Sequence, residues 1–162
     1  MATVRSLALR WVALVALSVW FGGFTFYSAV VIPVLDDVMG RAETGSLVTR
    51  DVTVTLNRIG AATLAAWWAL LAAERGLGCP RARSGRAGLV LVDTALMGLL
   101  FLMHAELGRR LDSGDMTRFY PLHELYLIAS TVQWAANLGL VAVSLWIWRA
   151  APTMNESAVD HM

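Results

Sequence analysis

Residues 125–148 read LYLIASTVQWAANLGLVAVSLWIW. This segment carries no charge and is longer than the roughly 20 apolar residues that a helix needs to cross a bilayer. The whole chain has 162 residues, of which 57% are hydrophobic and 15% charged, and its mean hydropathy is +0.60. Soluble domains contain roughly 45–50% apolar and about 25% charged residues. The sequence therefore predicts an all-α membrane protein and argues against a water-soluble enzyme.

Three further segments repeat this apolar pattern, although two of them contain ionisable side chains. The predicted spans are residues 11–35, 52–73, 87–108 and 123–148. The first is too long for the apolar region of a cleaved signal peptide, which has about 7–15 residues. We therefore expect one polytopic domain at residues 1–151, built as a bundle of four transmembrane helices, and a polar C-terminal tail at residues 152–162.

The charge pattern predicts the orientation of the chain. All 13 cationic residues are arginine, and residues 74–86, ERGLGCPRARSGR, form the most basic connection between spans. Because arginine-rich loops stay in the cytoplasm, this connection and both termini are expected on the cytoplasmic side of the inner membrane. The formal net charge of +1 argues against a nucleic-acid binder. The single cysteine, Cys79, excludes an internal disulfide and a thiolate metal cluster.

Polar side chains recur along one face of the fourth predicted helix, and we call this face the polar seam. Its members, which fall on one side of the helix at about 100° per residue, are His123, Tyr126, Ser130, Gln133, Asn137 and Ser144. A polar face turned to acyl chains would leave several groups desolvated, so the polar seam must face protein or a wet cavity. Its simplest role is hydrogen bonding between helices.

The third predicted helix carries a matching face. The members of this face, at the same helical spacing, are Asp93, Met97, Leu100 and His104. Because the loop after Gly108 is short, the third and fourth helices are expected to be antiparallel neighbours. Asp93 then lies level with Gln133 and Asn137, which are its expected partners.

Two histidines at one depth indicate a metal or haem site. The antiparallel register places His104 level with His123 near the non-cytoplasmic face, and imidazole is a ligand of copper and of haem iron. We expect haem b or copper there, with Asp93, Gln133 and Asn137 supplying polar groups around the ligands. Two alternatives stay open. One is an accessory or scaffold subunit without a cofactor, and the other is a proton- or ion-coupled carrier that uses Asp93.

Arg58 lies inside the second span and stays charged at any working pH. Its side chain can reach toward lipid headgroups, as long cationic side chains in membranes do. It can instead pair with Asp36 or Asp37, or hold a bound anion such as a haem propionate or a lipid phosphate.

Small side chains on the first helix predict a close-packing face. They recur at helical spacing and are Ser18, Gly22, Thr25 and Ala29. The partners expected for the protein are the lipid bilayer and either other membrane subunits or further copies of the chain.

Two motifs carry a family resemblance. The first is WFGGF at residues 20–24 with VVIPVL at residues 30–35, and the second is FYPLH at residues 119–123 with WAANL at residues 134–138. They resemble the first and last helices of small four-helix members of the copper-resistance D superfamily. The resemblance implies a four-helix bundle whose relatives handle copper or haem at the outer face. Relatives with such roles carry a histidine about two turns before the first tryptophan. Residues 11–14 read WVAL at that place and contain no histidine. His123 is therefore the only residue to which the resemblance assigns a role.

Overall fold

The structure is a computed structural model that describes residues 4–39, 43–75 and 80–150. Its elements are α1 (Val4–Phe26), a π-helical turn (Tyr27–Val31), α2 (Ile32–Met39), α3 (Glu43–Ala73), α4 (Pro80–Ser113) and α5 (Met116–Ala150). Because α1, the π-helical turn and α2 follow one another without a break, the described residues form four helical rods. The prediction of an all-α chain is confirmed for this part. Cys79 and the predicted tail at residues 152–162 lie outside the described residues.

The first rod changes its winding at the π-helical turn. Pro33 has no backbone N–H and cannot donate to the carbonyl four residues before it. Just ahead of Pro33, the Ile32 N–H donates to the Tyr27 carbonyl, five residues back, which is the bonding pattern of a π-helix. Tyr27 is buried in the bundle at this turn, whereas Asp36 and Asp37 of α2 are exposed.

The last two rods each bury one narrow stripe. Along α4 the buried stripe consists of Arg86, Val90, Asp93, Met97, Leu100, Met103 and Leu107. Along α5 it consists of Tyr126, Ser130, Gln133, Asn137, Leu140, Ser144 and Ile147. Steps of three and four residues are typical of helices that pack in a left-handed bundle. A tight turn with Gly114 at a φ of 72° joins α4 to α5, so the two helices are antiparallel neighbours.

The rods are arranged so that α3 lies between α1 and α4, and α4 lies between α3 and α5. The fourth side of the bundle differs, because α1 and α5 meet there through large side chains. Phe21 stacks on Trp134 with the ring centroids 5.0 Å apart. The Trp134 indole N–H donates to Thr25 Oγ1 over 3.2 Å. The side between α1 and α5 is therefore closed by aromatic rings.

The bundle has a strongly apolar outer surface and also buries several polar side chains. Large apolar side chains are strongly exposed on its outer surface, among them Val4, Trp11, Val38, Leu102 and Trp146. Polar and charged side chains are buried inside it, among them Asn57, Glu74, Arg86, Asp93, Gln133 and Asn137. An apolar exterior of this extent indicates contact with lipid or with other protein.

Three of the rods are long and apolar enough to cross a membrane. They contain the segments Val4–Val38, Arg83–Ser113 and Met116–Arg149. The rod formed by α3 is not among the candidate spans found in the described residues.

The predicted close-packing face of the first helix is wrong. Its members, Ser18, Gly22, Thr25 and Ala29, are all exposed. The buried side of α1 instead presents Ala13, Leu17 and Trp20. The close approach to α3 depends on a glycine of the partner helix, because the Trp20 indole packs against Gly60.

Gly60→Ala is expected to destabilise the bundle by about 1–3 kcal/mol, because overpacking a filled core forces side chains out of their rotamers. A β-carbon at Gly60 would lie 2.5 Å from Trp20 Cε2 and would also clash with Met97 Cε. Gly22→Ala is the matched control, since a β-carbon there meets no atom within 4 Å. Thermal unfolding of the two variants in detergent measures the difference. Equal melting temperatures would contradict this packing.

Candidate functional site

The polar seam lies mostly inside the bundle. The buried members are Tyr126, Ser130, Gln133, Asn137 and Ser144. His123 is only partly buried, and its ring stacks on Phe119 of the same helix with centroids 5.7 Å apart. The five buried members face α4 and the centre of the bundle, so they can act on groups that α4 presents there.

Asp93 is the ionisable group at this centre. Its side chain is fully buried, and neither of its carboxylate oxygens has a hydrogen-bond partner among the described residues. Gln133 contacts this residue, but its Nε2 donates to the Asp93 main-chain carbonyl over 3.2 Å. Asn137 Oδ1 is also buried without a partner. The two amides expected to partner the carboxylate therefore leave it without a donor in the described part of the chain.

The side chains around Asp93 carry no compensating charge. On the buried stripe of α4, the nearest ionisable groups are Arg86, two turns away, and His104, three turns away. The buried positions of α5 that face α4 between Tyr126 and Ile147 are neutral. The buried positions of α3 from Asn57 to Leu71, and those of α1 from Ala13 to Trp20, are neutral as well. An ionised Asp93 would be an unpaired charge in the protein interior, and burying such a charge costs a large amount of free energy.

A pocket lies beside Asp93, where the four rods meet. Its cavity volume is about 20 Å³, enough for about one water molecule, and it is partly open to the exterior. Its aromatic wall consists of Trp20, Phe21, Phe24 and Trp134. Its polar wall consists of Asn57, Ser130, Gln133 and Asn137. Gln133 borders the pocket and also donates to the main-chain carbonyl of Asp93, which connects the pocket to this residue.

Polar groups continue from the pocket toward the end of the bundle where α3 begins. Asn57 Nδ2 donates to the Tyr126 hydroxyl over 3.3 Å. The His104 ring lies beside Tyr126, with centroids 6.3 Å apart, and His104 Nε2 is buried without a partner in the described part. One turn beyond His104, the guanidinium of Arg50 packs against Gly108. Polar groups, separated by gaps, therefore lie between the pocket and the end of the bundle where α3 begins.

Each histidine of the expected metal or haem site has its own aromatic neighbour. His104 lies beside Tyr126, and His123 stacks on Phe119. Within residues 4–39, 43–75 and 80–150, no group of three or more His, Cys, Asp or Glu side chains could hold a metal ion. The pocket beside Asp93 borders neither histidine. Ligation of copper or haem by His104 and His123 stays a prediction.

Arg58 is exposed on α3, and it forms no ion pair with a described carboxylate. The two carboxylates considered as its partners, Asp36 and Asp37, are themselves exposed. The exposed guanidinium is therefore compatible with a contact to lipid headgroups.

Sequence reasoning missed a buried ionic cluster at the opposite end of the bundle, which we call the Glu74 cluster. The Glu74 carboxylate lies 2.5 Å from Arg10 Nε and 2.8 Å from Arg86 Nη1. Ser6 and the Trp148 indole N–H also donate to it. Burial acts to raise the pKa of Glu74, but the hydrogen bonds and charges of the two arginines outweigh it and hold the pKa below its usual value.

Comparison with protein-family models, with curated proteins and with solved structures finds no match for the chain. The likeness to the copper-resistance D superfamily therefore remains a sequence resemblance.

Proposed function

We propose that the chain is a polytopic protein of the cytoplasmic membrane in which all four rods cross the bilayer. The rod α3 has 31 residues, which corresponds to about 46 Å at 1.5 Å per residue and exceeds the roughly 30 Å hydrocarbon core. It packs against both α1 and α4. Glu74 meets Arg10 at one end of α3, and Arg50 lies 3.3 Å from Asp112 at the other. A rod held between two membrane-spanning rods in this way crosses the bilayer at the same depth as they do.

The distribution of charge supports cytoplasmic termini. The end of the bundle with the Glu74 cluster exposes Arg5, Arg75, Arg81 and Arg149. Among the described residues, the carboxylate at that end is Glu74, which is buried and paired. The opposite end exposes three arginines, Arg58, Arg109 and Arg118, and carries Asp36, Asp37, Asp51, Asp112 and Asp115. Because arginine-rich ends face the cytoplasm, the Glu74 cluster belongs to the cytoplasmic end.

Within this topology the protein acts as a proton-coupled carrier, and Asp93 is the group that takes up and releases the proton. The observation that carries this proposal is the complete burial of Asp93 with both carboxylate oxygens unpaired in the described part. A carboxyl group in such a place is stable when it is protonated or when a cation neutralises it. An ionisable residue inside a membrane bundle typically marks an ion or proton pathway.

The two sides of Asp93 differ in a way that suits alternating access. Toward the non-cytoplasmic end lie the pocket and the polar groups that lead to His104. Toward the cytoplasmic end lies an apolar layer of side chains that are at most 3% exposed, namely Leu17, Trp67, Leu70, Val90 and Leu140. The Glu74 cluster lies beyond this layer. This arrangement corresponds to a carrier whose proton site is closed toward the cytoplasm.

Asp93→Asn is expected to abolish proton movement, because an amide cannot release a proton. In liposomes with an imposed pH gradient and a clamped membrane potential, proton leak through the wild-type carrier should dissipate the gradient faster than in protein-free liposomes. The Asp93→Asn variant should match the protein-free rate. Glu106→Gln is the control, since Glu106 lies on the surface of the same helix and pairs with Arg110. An Asp93→Asn variant as active as the wild type would contradict the proposed function.

A further inference from the structure

We infer that the Glu74 cluster is the cytoplasmic gate of the carrier, and that Asp93 gains access to the cytoplasm when Glu74 parts from Arg86. This inference rests on the proposed function and names the device that controls one side of the proton site.

A single carboxylate joins all four rods at this end of the bundle. Glu74 directly follows the last residue of α3. Arg10 of α1 and Arg86 of α4 pair with it, and the indole N–H of Trp148, on α5, donates to it over 3.4 Å. The Arg10 guanidinium also lies 5.0 Å from the centroid of the Trp148 ring. Loss of this one carboxylate therefore releases contacts from α3 to each of the other rods.

The cluster connects two pairs of rods. The most extensive interfaces of the bundle are those of α1 with α3 and of α4 with α5. Arg10 and Glu74 belong to the first pair, whereas Arg86 and Trp148 belong to the second. Sites commonly open when packed helices shift as rigid bodies. A shift of one pair against the other at this end would separate Glu74 from Arg86 and would leave the interface inside each pair intact.

The distance from the cluster to the proton site is short. On α4, Val90 lies one helical turn from Arg86 and one turn from Asp93. Val90 is fully buried, and Trp67 of α3 stacks on Trp148 with the ring centroids 6.5 Å apart. Water that passes a parted cluster therefore has one apolar layer to cross before it reaches Asp93.

Burial allows the ion pair to close this end reversibly. The side chains of Glu74 and Arg86 are both buried. Desolvation offsets much of the attraction between two buried charges, and water hydrates the same charges once the rods part. The opposite end differs, because Arg50 and Asp112 pair there at an exposed place, where such a contact contributes little. The stronger closure therefore lies at the cytoplasmic end.

Removal of the anion should favour the open form. In Glu74→Gln, the closed form buries the Arg86 guanidinium without its carboxylate, whereas the open form exposes it to water. The penalty therefore falls on the closed form. The double variant Glu74→Gln/Arg86→Gln lacks both charges, so the closed form should recover.

The test uses a reporter cysteine at Val90 in the full chain, whose single cysteine is removed by Cys79→Ser. Inside-out membrane vesicles present the cytoplasmic end to a membrane-impermeant methanethiosulfonate, and the labelling rate of Val90→Cys measures opening. Glu74→Gln should raise this rate at least about tenfold, and the double variant should lower it again. Glu106→Gln removes a carboxylate that pairs at the surface, and it should leave the rate unchanged.

A second reporter separates gating from a general loosening of the fold. Ser130→Cys borders the pocket on the other side of the apolar layer. Right-side-out vesicles present it to the same reagent from the non-cytoplasmic side. There Glu74→Gln should label no faster than the wild type, because a carrier that opens at one side closes at the other. Faster labelling of both reporters would overturn the inference.

Glu74→Asp is the milder gate variant, since it keeps the charge but shortens the side chain by one methylene group. It should raise the labelling rate of Val90→Cys by a smaller factor than Glu74→Gln does. Size-exclusion profiles report which variants fold. Wild-type labelling rates at Val90→Cys in the folded gate variants would contradict the gate.

Proton flux in liposomes separates failure of the gate from failure of the proposed function. Flux that depends on Asp93, together with labelling of Val90→Cys that is independent of Glu74, contradicts only the gate. Flux that is independent of Asp93 contradicts the proposed function.

Discussion

Glu74→Gln is expected to lower the stability of the bundle by about 3–5 kcal/mol, which is the cost of removing one partner from a buried ion pair. The Glu74 side chain is 1% exposed and that of Arg86 is 2% exposed. Glutamine would keep the shape but remove the charge, and the Arg86 guanidinium would be left buried without an anion. Thermal and denaturant unfolding in detergent measure the loss.

Glu106→Gln is the matched control for this substitution. Glu106 also contacts two arginines, Arg109 and Arg110, but these pairs lie at the surface. Exposed ion pairs contribute about 0–1 kcal/mol, so this variant should unfold nearly as the wild type does. The double variant Glu74→Gln/Arg86→Gln should recover much of the loss, because it removes both the anion and the cation that needs it. Equal effects of Glu74→Gln and Glu106→Gln would contradict the buried cluster.

The same cluster predicts a dependence of stability on pH. The pKa of Glu74 in the folded protein lies below its usual value of 4.5. A lowered folded-state pKa adds stability that is fully present above the unfolded value and is lost as the pH falls through the folded value. The unfolding temperature of the wild type should therefore fall as the pH drops below about 4.5. In Glu74→Gln this part of the decrease should be absent.

The sequence could not predict the Glu74 cluster, for a physical reason. Glu74 stands in a basic connection, where a charge is ordinarily solvated, and its partner Arg10 lies 64 positions earlier in the chain. Burial of such a pair depends on tertiary packing, which leaves no local pattern. One signal was present, since the spacing of Val90, Asp93 and Met97 extends backward by one helical turn to Arg86.

The polar seam was the most informative pattern in the sequence. Helical spacing alone predicted that Tyr126, Gln133 and Asn137 share a face, and all three are buried. The spacing did not reveal what each amide bonds to, because rotamers are decided by packing. Gln133 donates to a main-chain carbonyl, although the Asp93 carboxylate is close by.

On the first helix, the face predicted from small residues is exposed, whereas the polar seam predicted on the last helix is mostly buried. The rule that small side chains mark contact faces does not say which helix supplies the large side chain that fills the gap. Here the tryptophan belongs to α1 and the glycine to α3, so Trp20 packs on Gly60 and the small residues of α1 remain outside.

Asp93→Val is expected to stabilise the bundle by about 1–3 kcal/mol, because a buried polar group without partners costs about that much free energy. The substitution removes both unpaired carboxylate oxygens. It leaves the bond from Gln133 intact, since that bond goes to the main chain. Valine is close in size to aspartate, and it can pack against the apolar neighbours Val90 and Met97. The same variant should lose proton movement in liposomes.

Asn57→Val gives the comparison that decides the role of Asp93. Asn57 is equally polar and is 6% exposed, but its amide donates to the Tyr126 hydroxyl. Its loss removes that hydrogen bond from a buried hydroxyl, so Asn57→Val should melt below the wild type while Asp93→Val melts above it. If Asp93→Val also melts below the wild type, the carboxyl stabilises the fold and a scaffold subunit becomes the better account. A gain in stability together with a loss of proton movement marks Asp93 as a group kept for its chemistry at the expense of the fold.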